Sequence, residues 1–234
     1  MSDTKAPGLP VIDVNEYGGK KDGVRQQMNR RLFMQLLVFE TPTKPLLDRL
    51  RSEKVPAVVY ADTSDPKSSG VLTWNEDPAH FVTRVRPLVA EWRAREGWAM
   101  LGRTYATGYE PDLEHWLLQR PIDNVMSEAN PWHVWYPLRR SGAFARLPEQ
   151  EQGAILREHA QIGMAYGQTG LAHDVRLACH GLDTKDNEFV IGLVGSELHP
   201  LSHLVQAMRK TRQTSEFIEQ MGPFFVGHVA GRSA

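Results

Sequence analysis

Cysteine is nearly missing: Cys179 is the single one in 234 residues. An intramolecular disulfide framework and a cysteine-cluster metal site are therefore excluded. Excess charge of either sign is missing too. The chain has 27 Lys and Arg against 28 Asp and Glu, a net charge of −1. That argues against a nucleic-acid partner, whose binding runs on phosphate neutralisation. Long apolar runs are absent, with nothing near the roughly 18 residues a membrane span needs. The first residues, Met1 to Gly23, carry no apolar stretch of the secretory-signal kind. The expectation is a cytoplasmic protein with no membrane partner and a loose leader over residues 1–28. No phosphate-cradling glycine loop, HExxH pair or nucleophile elbow is present, nor is any internal repeat or low-complexity tract.

What remains is ordinary globular composition, 41% hydrophobic and 24% charged, in a chain long enough to bury a sizeable core without covalent staples. Apolar periodicity then sets out an order of elements. "RRLFMQLLVFE" (30–40) reads as a strand. In the next segment Leu46, Leu47 and Leu50 recur at helical spacing, with Thr43 as cap and Pro45 in the first turn. "VPAVVY" (55–60) and Val71 to Trp74 read as strands. A helix follows with Asp77 as cap and Phe81, Val82, Val85, Leu88 and Val89 inward; Trp98 to Thr104 reads as a strand. This is β-α-β-β-α-β. The second half repeats it: strand Trp132 to Leu138, helix Pro148 to Tyr166, strands Asp174 to Cys179 and Glu188 to Val194, helix Leu198 to Arg209, strand Pro223 to Val229. Two such units predict an α+β fold of tandem ferredoxin-like modules, residues 29–120 and 121–234, packed as an α+β barrel of the dimeric type. Glu110 to Asn130 is expected to supply an edge strand or a connector.

Three places can carry chemistry. His159 lies on the apolar face of its helix with Ile155, Ile162 and Tyr166. A core histidine bonded to a main-chain carbonyl accounts for it. The alternative is an axial ligand to haem iron, which needs one neutral imidazole nitrogen in an apolar pocket. In "WHVWYPLRR", Trp132, Val134, Tyr136 and Leu138 share one face and His133, Trp135 and Pro137 the other. A core strand explains this; so does a redox-active Tyr136 beside Arg140, with aromatic walls such as Trp135 for a flat ligand. In "MRKTRQTS" (208–215), cations suit a helix C-terminus, while Arg209 with the Thr214 hydroxyl can also clamp a carboxylate. Cys179 on its strand reads as a buried thiol.

The blocks "VWYPLRRSGAFARLPEQEQGAILREHAQIGMAYG", "HGLDTKDNEFVIGLV" and "LVQAMRKTRQTSEFIEQMGPFFVG", in this order and spacing over about 134–227, resemble the chlorite dismutase family, which includes the coproheme decarboxylases. Residues 30–120 are similar in architecture alone. The resemblance implies haem b or coproheme as cofactor, a small oxidant (peroxide or chlorite) and a homo-oligomeric ring, often a pentamer. It implies His159 as the axial iron ligand and Tyr136 as the tyrosine that forms a radical in coproheme decarboxylases. Arg140 stands where that motif has lysine, and Arg209 and Thr214 match propionate-holding residues. The family's distal residue, Arg or Gln, is missing. An ungapped count from His159 lands on Ala172 and a count back from "HGLD" on Asp174. Arg176 shares a face with Asp174 and is the candidate distal cation. The activities implied are peroxide-dependent decarboxylation of coproheme propionates, chlorite dismutation with Arg176 as distal group, or haem binding without catalysis.

Overall fold

The structure, a computed structural model, describes residues 9–234. The first eight residues of the expected leader lie outside them. Within the rest of that leader the chain forms a hairpin of strands β1 (Glu16–Lys21) and β2 (Val24–Met28). Its turn is Asp22-Gly23, both with positive φ, 53° and 81°, the Asp-Gly combination that matches the twist of a two-residue hairpin. The Gln26 side-chain amide donates to the carbonyls of Gly19, Glu110 and Pro111, and its oxygen accepts from the Leu113 amide. The strands carry few apolar residues, so periodicity alone gives no sign of them.

The first module runs β3 (Phe33–Phe39), α1 (Thr43–Ser52), β4 (Ala57–Asp62) and β5 (Ser69–Asn75). A π-helical turn (Phe81–Val85) then continues into α2 (Arg86–Val89), and β6 (Met100–Thr104) follows. Leu46, Leu47 and Leu50 of α1 are buried as their spacing predicts, although Pro42 rather than Thr43 takes the cap position. Asp77 accepts from the Ala79 amide, and Phe81, Val85 and Val89 face inward, but Val82 points to solvent. The connector is a second π-helical turn (His115–Gln119) running into α3 (Arg120–Met126), not an edge strand.

The second module runs β7 (Trp132–Arg140), α4 (Gly142–Ala145), α5 (Glu149–Gln168), β8 (His173–Ala178), β9 (Phe189–Gly195), α6 (Leu198–Met208), α7 (Arg212–Phe217), β10 (Ile218–Met221) and β11 (Phe225–Ser233). Sequence periodicity misses α7 and β10, both too short to show a period. The break at Gly222-Pro223 sets the last strand later than expected.

Each module has the ferredoxin-like strand order, β6-β3-β5-β4 and β11-β7-β9-β8, all antiparallel. β4 pairs with β11 and β6 with β8, so the eight strands close on themselves and β10 extends β7 past the end of β11. The seams differ. β4 and β11 pair along their length, whereas β6 and β8 meet only at Arg103–Ala178 and Thr104–Leu177. Alternation along each strand now separates two environments. Met34, Leu36, Val58, Tyr60, Leu72, Trp135, Leu177 and Phe225 fill the interior, which Leu113, Leu117, Leu118 and Val125 of the connector help to close. The opposite face lies under the helices. Gly192 is required where β9 passes the Trp135 ring, since a Cβ there would sit 2.5 Å from the indole.

A polar pair is sealed inside. His133, fully buried, has Nε2 3.0 Å from the Asn130 carbonyl and Nδ1 2.9 Å from the Tyr60 hydroxyl. Burial, reinforced by the Arg232 guanidinium, pushes its pKa down to about 3, whereas an unfolded histidine titrates near about 6.5. The folded state thus favours neutral His133. Its contribution to stability is complete above about pH 6.5 and is lost as pH falls towards 3. Urea unfolding measured across this range will show that decline, and His133→Gln, which does not titrate, will flatten it.

Candidate functional site

α5 carries the first site residue. Glu149 and Glu151 in its first turn suit the helix dipole, and the helix leans on α6, α7 and β8. Of its residues only Ile155 is fully buried; His159, Ile162 and Tyr166, on the same face, are half-buried. Among the described residues, no main-chain oxygen bonds the His159 ring. Its Nδ1 lies 3.4 Å from Thr211 Oγ1. Thr211 caps α7 by accepting from the Thr214 amide, and its hydroxyl donates to the Met208 carbonyl at 2.8 Å. With that proton committed, Thr211 oxygen can only accept from His159. The network therefore assigns the proton to Nδ1 and the lone pair to Nε2. Burial first, and Arg176 next, hold the His159 pKa below its ordinary value against the opposing pull of Glu158 and Asp174. The imidazole is neutral at pH 7 with Nε2 available.

The sheet face beneath is set by register. Arg176, Ile191 and Tyr136 form one row across β8, β9 and β7, and Asp174, Leu193 and Val134 the next. Tyr136 and Arg176 thus leave the same face two strands apart, about 10 Å at ordinary strand spacing. Tyr136 stacks on Phe224 with centroids 4.6 Å apart. Burial, followed by the Asp174 carboxylate, raises its pKa well above the usual phenol range, with Arg209 opposing. Tyr136 keeps its proton.

Asp174 is the hub of this face. Its carboxylate pairs with Arg120 of α3 and, at 3.0 Å, with Arg176. Both guanidinium groups lie over the Trp116 ring, at 4.4 and 5.4 Å, and Arg120 and Asn124 also donate to the Asp174 carbonyl. Burial alone would raise the Asp174 pKa, but Arg176 and Arg120 overcome it and hold the carboxyl below the ordinary range.

The remaining sequence-derived candidates divide. Thr214 Oγ1 lies 3.3 Å from Thr211 Oγ1, and the charge of Arg209 reaches Tyr136, so both belong to this region. Arg140 shares the face of Tyr136, but its Nε donates to Glu188 at 3.1 Å and its guanidinium is flanked by Phe144 and Phe189. Ala172 is buried just before β8. Trp135 is a correction. It points into the barrel interior, fully buried against Gly192, because it alternates with Tyr136, so it cannot wall a ligand on the helix side. Sequence reading missed Thr211, Trp116 and Arg120. A threonine three residues before another hydroxyl at a helix start was a readable cap signal for Thr211; the other two lie in the segment read as an edge strand or a connector.

The donor set suits haem: one neutral imidazole, an apolar sheet face and arginines at its margin. A cavity of about 220 Å³ opens among Gly97, Pro137, Asp183 and Pro223, and a water-sized one of about 10 Å³ beside Tyr105, Trp116 and Arg176. Neither is lined by His159, where Ile162 and Tyr166 join a cluster with Ile191, Leu193 and Leu201. A planar guest there would have to displace these side chains. Asp174→Asn leaves Arg120 and Arg176 facing each other without their shared anion. The expected cost is about 1–3 kcal/mol for such half-exposed groups, read from the urea midpoint, and Asp174→Asn will also lose the acid-side fall in stability that Asp174 causes.

A family model described as chlorite dismutase matches residues 90–230. No curated protein matches the chain. Among solved structures, TA0507, provisionally described as a chlorite dismutase, is 14% identical with TM-score 0.68, covering 86% of this chain and 96% of that one. A haem-binding protein from Thermus thermophilus is 15% identical with TM-score 0.64, covering 86% and 91%. A tryptophan-to-phenylalanine variant of the chlorite dismutase of Candidatus Nitrospira defluvii, in complex with cyanide, is 14% identical with TM-score 0.65, covering 87% and 93%. At these identities the likeness is one of fold.

Proposed function

The chain belongs to the chlorite dismutase family, and from that premise we propose that it binds haem or coproheme through His159 and catalyses peroxide-dependent decarboxylation of coproheme propionates. The observation that carries the reading is the state of His159, neutral, with Nδ1 held by Thr211 and Nε2 free. A histidine oriented through its second nitrogen is the usual arrangement of a metal ligand. When bound, the iron porphyrin supplies the redox chemistry with peroxide, and the protein supplies position and electrostatics.

Each residue then has a task. His159 would hold the iron through Nε2. Tyr136 holds a phenolic proton at Oη, kept there by burial and by Asp174, which suits a group that gives up a proton and an electron together. Arg209 and Thr214 hold propionate oxygens. Arg140 acts as a carboxylate clamp only on exchanging Glu188 for the ligand. Arg176, the cation expected to retain chlorite, is already matched by Asp174; this weighs against the chlorite reading and for a neutral oxidant. A homo-oligomeric ring and a cytoplasmic setting belong to the same proposal.

Haem titration is expected to give a Soret band that His159→Ala abolishes. Retention of the band in His159→Ala overturns the ligand assignment. Coproheme-loaded protein, treated anaerobically with stoichiometric peroxide, is expected to lose carbon dioxide by mass spectrometry of the porphyrin; no loss rejects the reaction. Tyr136→Phe is expected to keep the absorption spectrum while slowing decarboxylation by about 10²-fold or more, the scale of removing a positioned proton-transfer group. An unchanged rate rejects the role of Tyr136.

A further inference from the structure

Trp135, removed from the helix-side face, leads to a second group of aromatic residues. It lies fully buried in the barrel with Tyr60 and Phe225. Phe225 is its partner across β11 and β7, and the Tyr60 and Phe225 rings are 5.7 Å apart, edge to face. The group continues outward, since Trp98 lies 6.2 Å from Phe225 and Arg95 covers Trp98 at 5.2 Å. On the other side, Trp135 is the covalent neighbour of Tyr136, so the interior and the helix-side face are one peptide apart.

Hydrogen bonding inside this group is directional. The Asn130 carbonyl can only accept, so His133 Nε2 carries the proton and Nδ1 is the bare nitrogen. The Tyr60 hydroxyl, 2.9 Å away, is therefore the donor to Nδ1. Trp135 differs: its indole N–H forms no well-aligned hydrogen bond among the described residues, and the acceptor it bears on is the Tyr60 oxygen, itself a weak base. Tyr60 is a phenol with a good base in contact, and Trp135 an indole with a poor one.

This difference has one chemical consequence. A phenol that loses an electron becomes a very strong acid, so Tyr60, with a bare nitrogen 2.9 Å away, loses its proton in the same step. We propose that Tyr60 and His133 form a proton-coupled redox pair, with Trp135 as the relay that brings an oxidising equivalent from the helix-side face into the barrel. The step balances. Trp135 gives one electron to a one-electron oxidant of the class peroxide generates at a bound haem; with only the weakly basic Tyr60 oxygen to receive its N–H, it retains that proton and becomes a radical cation. Tyr60 then gives one electron to Trp135, restoring the neutral indole, while its Oη–H bond breaks and the proton moves to His133 Nδ1. The products are a neutral tyrosyl radical and an imidazolium whose Nε2–H still donates to Asn130. The positive charge has moved from indole to imidazole. Tyr60 thereby shelters an oxidising equivalent that does not reach Tyr136 or the ligand. The physiological source of that equivalent rests on the haem reading; the pair itself does not.

The test has two arms. In the full chain without haem, azidyl radicals from pulse radiolysis oxidise tryptophan, and the fate of the tryptophan radical is followed by transient absorption. The expected result is conversion to a long-lived tyrosyl radical, slowed in D2O and lost in Tyr60→Phe. His133→Gln, which keeps a hydrogen-bond acceptor but no base, is expected to lose it as well. An unchanged tyrosyl yield and lifetime in Tyr60→Phe, or in His133→Gln folded by circular dichroism, overturns the pair. In the second arm, haem-loaded protein is mixed with peroxide and freeze-quenched for electron paramagnetic resonance. A tyrosyl signal lost in Tyr60→Phe supports the relay from the haem face. Its absence there, with the first arm positive, overturns the relay and leaves the pair intact. Failure of haem to bind at all is a failure of the haem reading and is seen first in the absorption spectrum.

Discussion

Strand β7 is the constraint on which the molecule turns. It is hydrogen-bonded to β9 on one side and to β11 and β10 on the other, and each of its side chains must choose between a closed interior and a face roofed by helices. The pleat makes that choice for alternate residues. His133 and Trp135 go into the core; Val134, Tyr136 and Leu138 go under α5 and α6. A slip of one residue would exchange the two sets. It would place Tyr136 in the barrel and leave two aromatic polar groups without partners. The seven-residue register with β9, from Trp132–Gly195 to Leu138–Phe189, and the fit of Trp135 over Gly192 hold it in place.

On the roofed face, charge is arranged by pairing rather than by excess. Asp174 sits between two guanidinium groups and Glu188 holds Arg140. Around His159 burial, with Arg176 behind it, favours the uncharged ring against Glu158 and Asp174. The same carboxylate that restrains Arg176 keeps the Tyr136 proton in place. One acid therefore acts on both groups, holding the Tyr136 proton in place while pulling His159 towards its charged form against the burial that keeps it neutral.

Much of this was legible in the sequence, for definable reasons. Strands buried on one or both faces, and helices with a clear apolar stripe such as Leu46, Leu47 and Leu50, announce themselves by period. The repeat of element order gave the tandem modules, and the position of His159 on the inner face of α5 followed from spacing. What was not legible falls into two kinds. Short or polar elements have no period: the β1–β2 hairpin depends on Asp22-Gly23 and on Gln26 reaching across to the connector, and α7 and β10 span only a few residues. Pairings between distant segments have no local signal: Arg120 meets Asp174 across 54 positions, and Thr211 meets His159 across 52. Trp135 was misplaced for a different reason. An aromatic residue beside a candidate site is easily assigned to it, yet strand alternation already sends it the other way.

The two seams of the cylinder are unequal, and this has a mechanical consequence. Where β4 and β11 run side by side, the modules are fastened along a whole strand. Where β6 meets β8, two rungs do the same work, and the next residues along β8 are Arg176 and Asp174, clasped from outside by α3. Amide exchange should start at this short seam, because few bonds must break together for it to part. A protein built this way can yield along one line while the remainder stays rigid, and that line passes beside the arginine–aspartate clasp rather than through the packed centre.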